Sequence, residues 1–135
     1  MTGFRRAARD VIAQCCGADE RYDVIFTGSG ATAGLNRLVN LFGVNASLRD
    51  GIVPRVIIGP YEHHSNILPW RESGAEIVEI EEIATGGPDL LQLDAALAGA
   101  GGRPMICAFS AASNVNSLRD SCTCRIVSKI FLLPS

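Results

Sequence analysis

Apolar residues recur along this chain in two alternating rhythms, one helical and one of short continuous runs. From about residue 3 to residue 16, Phe4, Ala8, Val11, Ile12 and Cys15 fall at helical spacing, and Gly17 is a natural stop. Asp23-Val24-Ile25-Phe26 then reads as a short buried strand. It runs into Thr27-Gly28-Ser29-Gly30-Ala31-Thr32, after which Leu35, Leu38, Val39 and Phe42 share one helical face. Gly43 and the polar segment from Asn45 to Asp50 are expected to end that helix. Arg55 to Ile58 is the next strand, closed by Gly59-Pro60, and a helix is expected from about Asn66 to Glu72. Pro69 is tolerable in it only near the first turn. Glu76 to Ile80 forms a third strand, and Leu90, Leu93, Ala96 and Leu97 mark a short helix closed by Gly99. Pro104 to Phe109 is the fourth strand. Strand and helix alternate four times with short connections, the pattern of a parallel sheet with right-handed crossovers. The pattern breaks after Val115. The chain therefore divides into an α/β domain over residues 1–116, with about four strands, and a divergent, irregular tail over 117–135.

Composition narrows this picture. A chain of 135 residues with 47% hydrophobic residues can bury one core and is too short for two. A formal charge of −2 gives no footprint for nucleic acid, and no apolar run approaches a membrane span. The amino-terminal stretch has no apolar signal core, so a cytoplasmic chain is expected. It also carries no acid before Asp10, which leaves an organelle-targeting role open. Cys15, Cys16 and Cys107 fall inside predicted elements and read as small buried hydrophobes. Cys122-Thr123-Cys124 has the donors for a soft metal but no second Cys/His cluster beside it, so no metal site is expected. Eleven arginines stand against one lysine, Lys129.

Chemistry concentrates in two predicted loops. Tyr61-Glu62-His63-His64-Ser65-Asn66-Ile67-Leu68-Pro69-Trp70 holds both histidines and the only tryptophan, and it follows a strand. In an open α/β sheet, ligands are held beyond the carboxyl ends of the strands. A histidine pair there can also do no more than cap the next helix. The second loop, Thr27 to Gly34, joins a strand to a helix, where free backbone N–H groups can bind phosphate. Ser29 and Thr32 add hydroxyl donors. A plain capped turn is the simpler alternative. Gly28, Gly30 and Gly34 also give G-x-G-x-x-x-G, which with Glu62 as the acid after the next strand suggests a nicotinamide dinucleotide module. Against it, such a fold opens with a strand, and here a helix comes first. The remaining possibility combines one phosphate at the glycine loop, a ring held by His63 and a polar contact from Asn114. Pyridoxal phosphate has those three parts.

Together these segments resemble the class V aminotransferases and cysteine desulfurases. Val24-Ile25-Phe26-Thr27 with Gly30-Ala31-Thr32 and Leu35-Asn36 is similar to the family's phosphate loop. Glu62 to Trp70 is similar to the ring-stacking segment of the desulfurase and selenocysteine-lyase branch, and Ser113-Asn114-Val115 to the family's asparagine motif. The match runs in family order from about Phe4 to Val115. It implies a partial large domain of a fold-type I pyridoxal-phosphate enzyme. Gly30, Ala31 and Thr32 would hold the cofactor phosphate, His63 would stack on the pyridine ring and help proton transfer, and Asn114 would contact the ring hydroxyl. His64 would be structural. Ala33 stands where an acid is frequent in the family, and the glycine loop is one residue longer.

The resemblance also implies parts with no match here: an aspartate for the pyridine nitrogen and a His-Lys pair whose lysine forms the imine with the cofactor. Lys129 does not sit in that motif, and Cys122 and Cys124 do not match the desulfurase cysteine. The resulting expectation is a fragment of an enzyme acting on cysteine or selenocysteine, homodimeric in its complete form and inactive alone. The alternative is a non-catalytic truncated isoform that associates with a full-length relative.

Overall fold

Arg55-Val56-Ile57-Ile58 has a parallel neighbour on each side, and the fold is laid out from it. The computed structural model describes residues 2–99, 101–110 and 129–133. In chain order these form α1 (Thr2–Cys16), α2 (Gly30–Leu41), α3 (Val44–Arg49), β1 (Arg55–Ile58) and α4 (His64–Glu72). They continue with β2 (Glu76–Glu79), α5 (Leu90–Ala98), β3 (Met105–Phe109) and β4 (Lys129–Leu133). The sheet order is β2-β1-β3-β4. Parallel pairing sets Ile57 opposite Val78 on one side and Cys107 on the other. The molecule is thus an α/β fold with a three-stranded parallel sheet, as the alternating pattern predicts.

Alternation along β1 sorts the core into two layers. Val56 and Ile58, with Ile106 and Ala108 beside them on β3, pack with Leu35 and Val39 of α2 and Trp70 of α4. Ile57 and Cys107 face the other way, onto Ala96 of α5 and Ile80. The chain steps from β1 outward to β2 through α4, then back past β1 to β3 through α5. Crossovers of one hand that step in opposite directions put their helices on opposite faces, as found here. Trp70 is wholly buried and stacks on Phe42, centroids 6.5 Å apart and planes 7° from parallel. Burying a side chain of that size contributes about 2–3 kcal/mol.

The amino-terminal edge of the sheet is tied by charge. Arg55, at the start of β1, donates to Glu76 across the strand pair, Nη2 to Oε1 at 3.0 Å, and to the Ala96 carbonyl at the end of α5 at 2.9 Å. Arg103 reaches the other Glu76 oxygen at 2.6 Å. The Arg55 hydrogen bond, opposed by partial burial and helped by Arg103, holds the Glu76 carboxyl below the usual glutamate range.

Five expectations are corrected. Asp23 to Phe26 forms no strand: Ile25 is 51% and Phe26 50% exposed. A strand needs a ladder partner, and no described strand pairs with this run; the Arg9 guanidinium instead lies over the Phe26 ring at 5.7 Å. The fourth strand comes from the tail expected to be irregular, since residues 129–133 pair antiparallel with β3. The segment read as a polar helix stop does end α2, but it goes on into a helix that was not expected, α3, whose one buried residue, Val44, supplies the anchor. Pro69 lies in the sixth position of α4 rather than its first turn; it lacks the N–H that would bond Ser65, and its buried ring packs instead. Finally, Cys15 and Cys16 are exposed, while Cys107 is buried as expected. The cause is that the apolar stripe of α1 faces outward, with Phe4 83% and Val11 59% exposed.

Candidate active site

Order β2-β1-β3 makes the gap between β1 and β3 the point where the connections turn away in opposite directions. In such sheets the crevice beyond the carboxyl ends of those two strands is where ligands bind. The segment from Gly59 to His63 leaves β1 there, and Ser110 leaves β3 beside it. Gly59 allows this close approach: a Cβ at that position would stand 2.8 Å from the Phe109 ring.

His63 caps α4. Its backbone is extended (φ −75°, ψ 151°), and its Nδ1 accepts from the Ser65 amide at 3.2 Å, with Ser65 Oγ at 3.0 Å. A ring nitrogen that accepts from an amide carries no proton, so the neutral imidazole holds its proton on Nε2. The ring is exposed and meets His64 edge-on, centroids 5.9 Å apart. The capping role and an open ring face thus coexist in one residue.

Residues either side of His63 are staked to neighbouring loops. The Tyr61 hydroxyl donates to Glu82 at 2.6 Å and accepts the Gly87 amide at 2.8 Å, fixing the loop after β2. Glu62 accepts from the Ser110 amide and hydroxyl at 2.6 and 2.7 Å, fixing the exit of β3. It also accepts from Asn66, whose own oxygen takes the Trp70 indole N–H at 3.2 Å. The dinucleotide alternative needs Glu62 as a free acid, but both of its oxygens are engaged within the protein. Its spacing was a usable signal, because Glu62, Asn66 and Trp70 stand four residues apart, on one face of a helix start.

The glycine loop enters through α2, which packs on α4 by way of Leu35, Val39 and Trp70. Gly28 (φ 102°) and Gly30 (φ 81°) hold backbone conformations that a side chain would strain. Ser29 is the N-cap, yet its side chain makes no capping hydrogen bond. Gly30, Ala31 and Thr32 are exposed, so the leading amides of this 12-residue helix face solvent. Uncapped N–H groups on a bulk-free turn suit a phosphate, so this part of the chain fits the group the resemblance implies. Without a strand before the glycines, the dinucleotide pattern loses the context it requires.

Asn114, Cys122 and Cys124 lie outside the described residues. The register sets Lys129 opposite Phe109, at the carboxyl end of β3. Among the described residues no helix is long and apolar enough to cross a membrane, and no group of three metal-ligating side chains occurs.

A doubly wound α/β sheet with an engaged loop at its switch point defines a class of folds that hold small ligands there, and comparison with known proteins narrows it. The family model described as aminotransferase class-V matches residues 2–120. A probable cysteine desulfurase of Streptomyces coelicolor is 33% identical over 98 residues, which cover 69% of this chain and 23% of that protein. A cysteine desulfurase of Klebsiella pneumoniae is 34% identical over 94 residues, 69% of this chain and 22% of its own length. Another, of an Enterobacter species, is 33% identical over 111 residues, 79% and 26%. No solved structure matches significantly. The chain belongs to the class V aminotransferase family, in its cysteine desulfurase-like part. It spans about a quarter of the length of these curated relatives.

Proposed function

We propose that this chain forms the cofactor cradle of a pyridoxal-phosphate-dependent enzyme acting on an amino acid of the cysteine or selenocysteine class. The observation that carries the reading is an exposed His63 ring at the β1–β3 switch point, in the same packed layer as the uncapped start of α2. The Gly30 and Ala31 amides and the Thr32 hydroxyl take the phosphate through hydrogen bonds that the helix N-terminus favours. His63 lays its ring against the pyridine, while its cap to Ser65 fixes the ring and keeps the mobile proton on Nε2. Asn114, by the resemblance, would contact the ring hydroxyl. Once bound, the cofactor supplies an electron sink for the substrate's α-carbon. These 135 residues hold no match to the family's lysine motif or to the acid that serves the pyridine nitrogen. In this reading these residues account for binding the cofactor. The family resemblance supports reading the complete enzyme as a homodimer.

Calorimetric titration with pyridoxine phosphate tests the cradle. That alcohol has the phosphate, ring and hydroxyl of the cofactor but no aldehyde to react with Lys129. The native chain is expected to bind, and His63→Asn to bind about tenfold more weakly, because asparagine restores the cap but not the ring. Thr32→Val is expected to lose a similar factor. Binding that is absent from the native chain, or indifferent to both substitutions, overturns the reading.

A further inference from the structure

The loop before His63 is held by a carboxylate both of whose oxygens accept hydrogen bonds. Glu62 Oε1 accepts the Ser110 amide at 2.6 Å. Its Oε2 accepts the Ser110 hydroxyl at 2.7 Å and the Asn66 amide nitrogen at 2.5 Å. Asn66 is 5% exposed, and its oxygen takes the indole N–H of wholly buried Trp70 at 3.2 Å.

The direction of this chain of hydrogen bonds is forced from both ends. An indole N–H can only donate, so the Asn66 oxygen must face Trp70. The Asn66 NH2 is then left to face Glu62. At the other end the Ser110 backbone N–H can also only donate. Position 62 must therefore present two acceptors, one on each side. A carboxylate does this, whereas an amide of the same shape sets an N–H against one obligate donor in either orientation.

We propose that Glu62 is a positioning residue of the cofactor site: it sets the place of the His63 ring by locking the turn that carries it to the exit of β3. This inference rests on the cofactor reading above. His63 is the next residue, and its own cap fixes the ring only relative to α4. What fixes that helix start relative to the sheet edge is the Glu62–Ser110 contact, which joins residues 48 apart in sequence. Tyr61 braces the same turn from the side of β2. With both oxygens engaged by Ser110 and Asn66, Glu62 works through the ring beside it.

Two variants of the full chain test this with the pyridoxine phosphate titration and with hydrogen exchange of the Ser110 amide. Glu62→Gln is expected to weaken binding about tenfold and to speed Ser110 exchange by a similar factor, the effect of one donor facing a donor. The double variant E62Q/N66D reverses the polarity of the pair without changing the net charge. Its glutamine amide can donate to the new carboxylate, which still accepts from Trp70, so both readouts are expected to return to within about threefold of native. Native affinity in E62Q overturns the proposal. So does a double variant that melts like the native chain but binds no better than E62Q. If E62Q does not fold, the double variant decides alone: restored folding and binding support the proposal, and failure to fold overturns it. A native chain that does not bind pyridoxine phosphate removes the cofactor reading and the role given to Glu62 with it. A native chain that binds alongside an equally competent E62Q removes only the latter.

Discussion

At the scale of single residues, the site is organised by groups that can play one hydrogen-bonding part and no other. Trp70 can only donate, and its indole is the buried end of the line that runs through Asn66 to Glu62. Trp70→Phe keeps an aromatic ring beside Phe42 but leaves the Asn66 oxygen without its donor. The expected cost is about 2–3 kcal/mol, from the unmade bond and the lost ring volume. Urea unfolding followed by circular dichroism reads it as a lower midpoint at unchanged slope; Trp70 is the sole tryptophan, so its fluorescence cannot serve. The sequence showed His63 as a site candidate because loop position and residue type suffice for that. Glu62 was noted in that same segment, but its contact with Ser110, 48 residues away, was not legible because only the folded sheet brings them together.

Between elements, the clearest electrostatic tie is Arg55 and Arg103 on Glu76, which joins β1, β2 and, through the Ala96 carbonyl, α5. The Glu76 carboxyl is held below its ordinary value of 4.5, chiefly by Arg55. The native state therefore binds fewer protons than the unfolded chain in that range, and stability falls with falling pH. The contribution is expected to be present above pH 4.5, to decline below it and to be gone beneath the lowered folded value. Because Glu76 is partly exposed, the loss is expected to stay under about 1 kcal/mol. Comparing native and Glu76→Gln unfolding from pH 6 downward checks it, since the variant lacks this component of the slope. Periodic segments such as α2, α5, β1 and β3 were legible from sequence because their apolar spacing states their own burial. Asp23 to Phe26 had strand-forming residues but found no partner, and Ile130 to Leu133 found one in β3 that local pattern does not announce.

Over the whole molecule, burial is uneven. The sheet and the three helices α2, α4 and α5 share a core, whereas the apolar stripe of α1 meets solvent at Phe4, Val11 and Ile12. A 15-residue helix without a packed face is marginal in water. Amides of α1 are accordingly expected to exchange at least about a hundredfold faster than those of Val56, Ile57 and Ile58, measured by hydrogen exchange on the intact chain. Uniform protection along the chain would contradict this. The central place of β1 also dictates a timetable. Its second neighbour, β3, pairs Ile57 with Cys107, about fifty residues further on. A ribosome that has released β1, α4 and β2 has delivered just two adjacent strands, with one face of each waiting for α5. The switch-point crevice therefore comes into being only when Ser110 emerges to meet Glu62. Until then the turn that carries His63 has its cap but not its anchor.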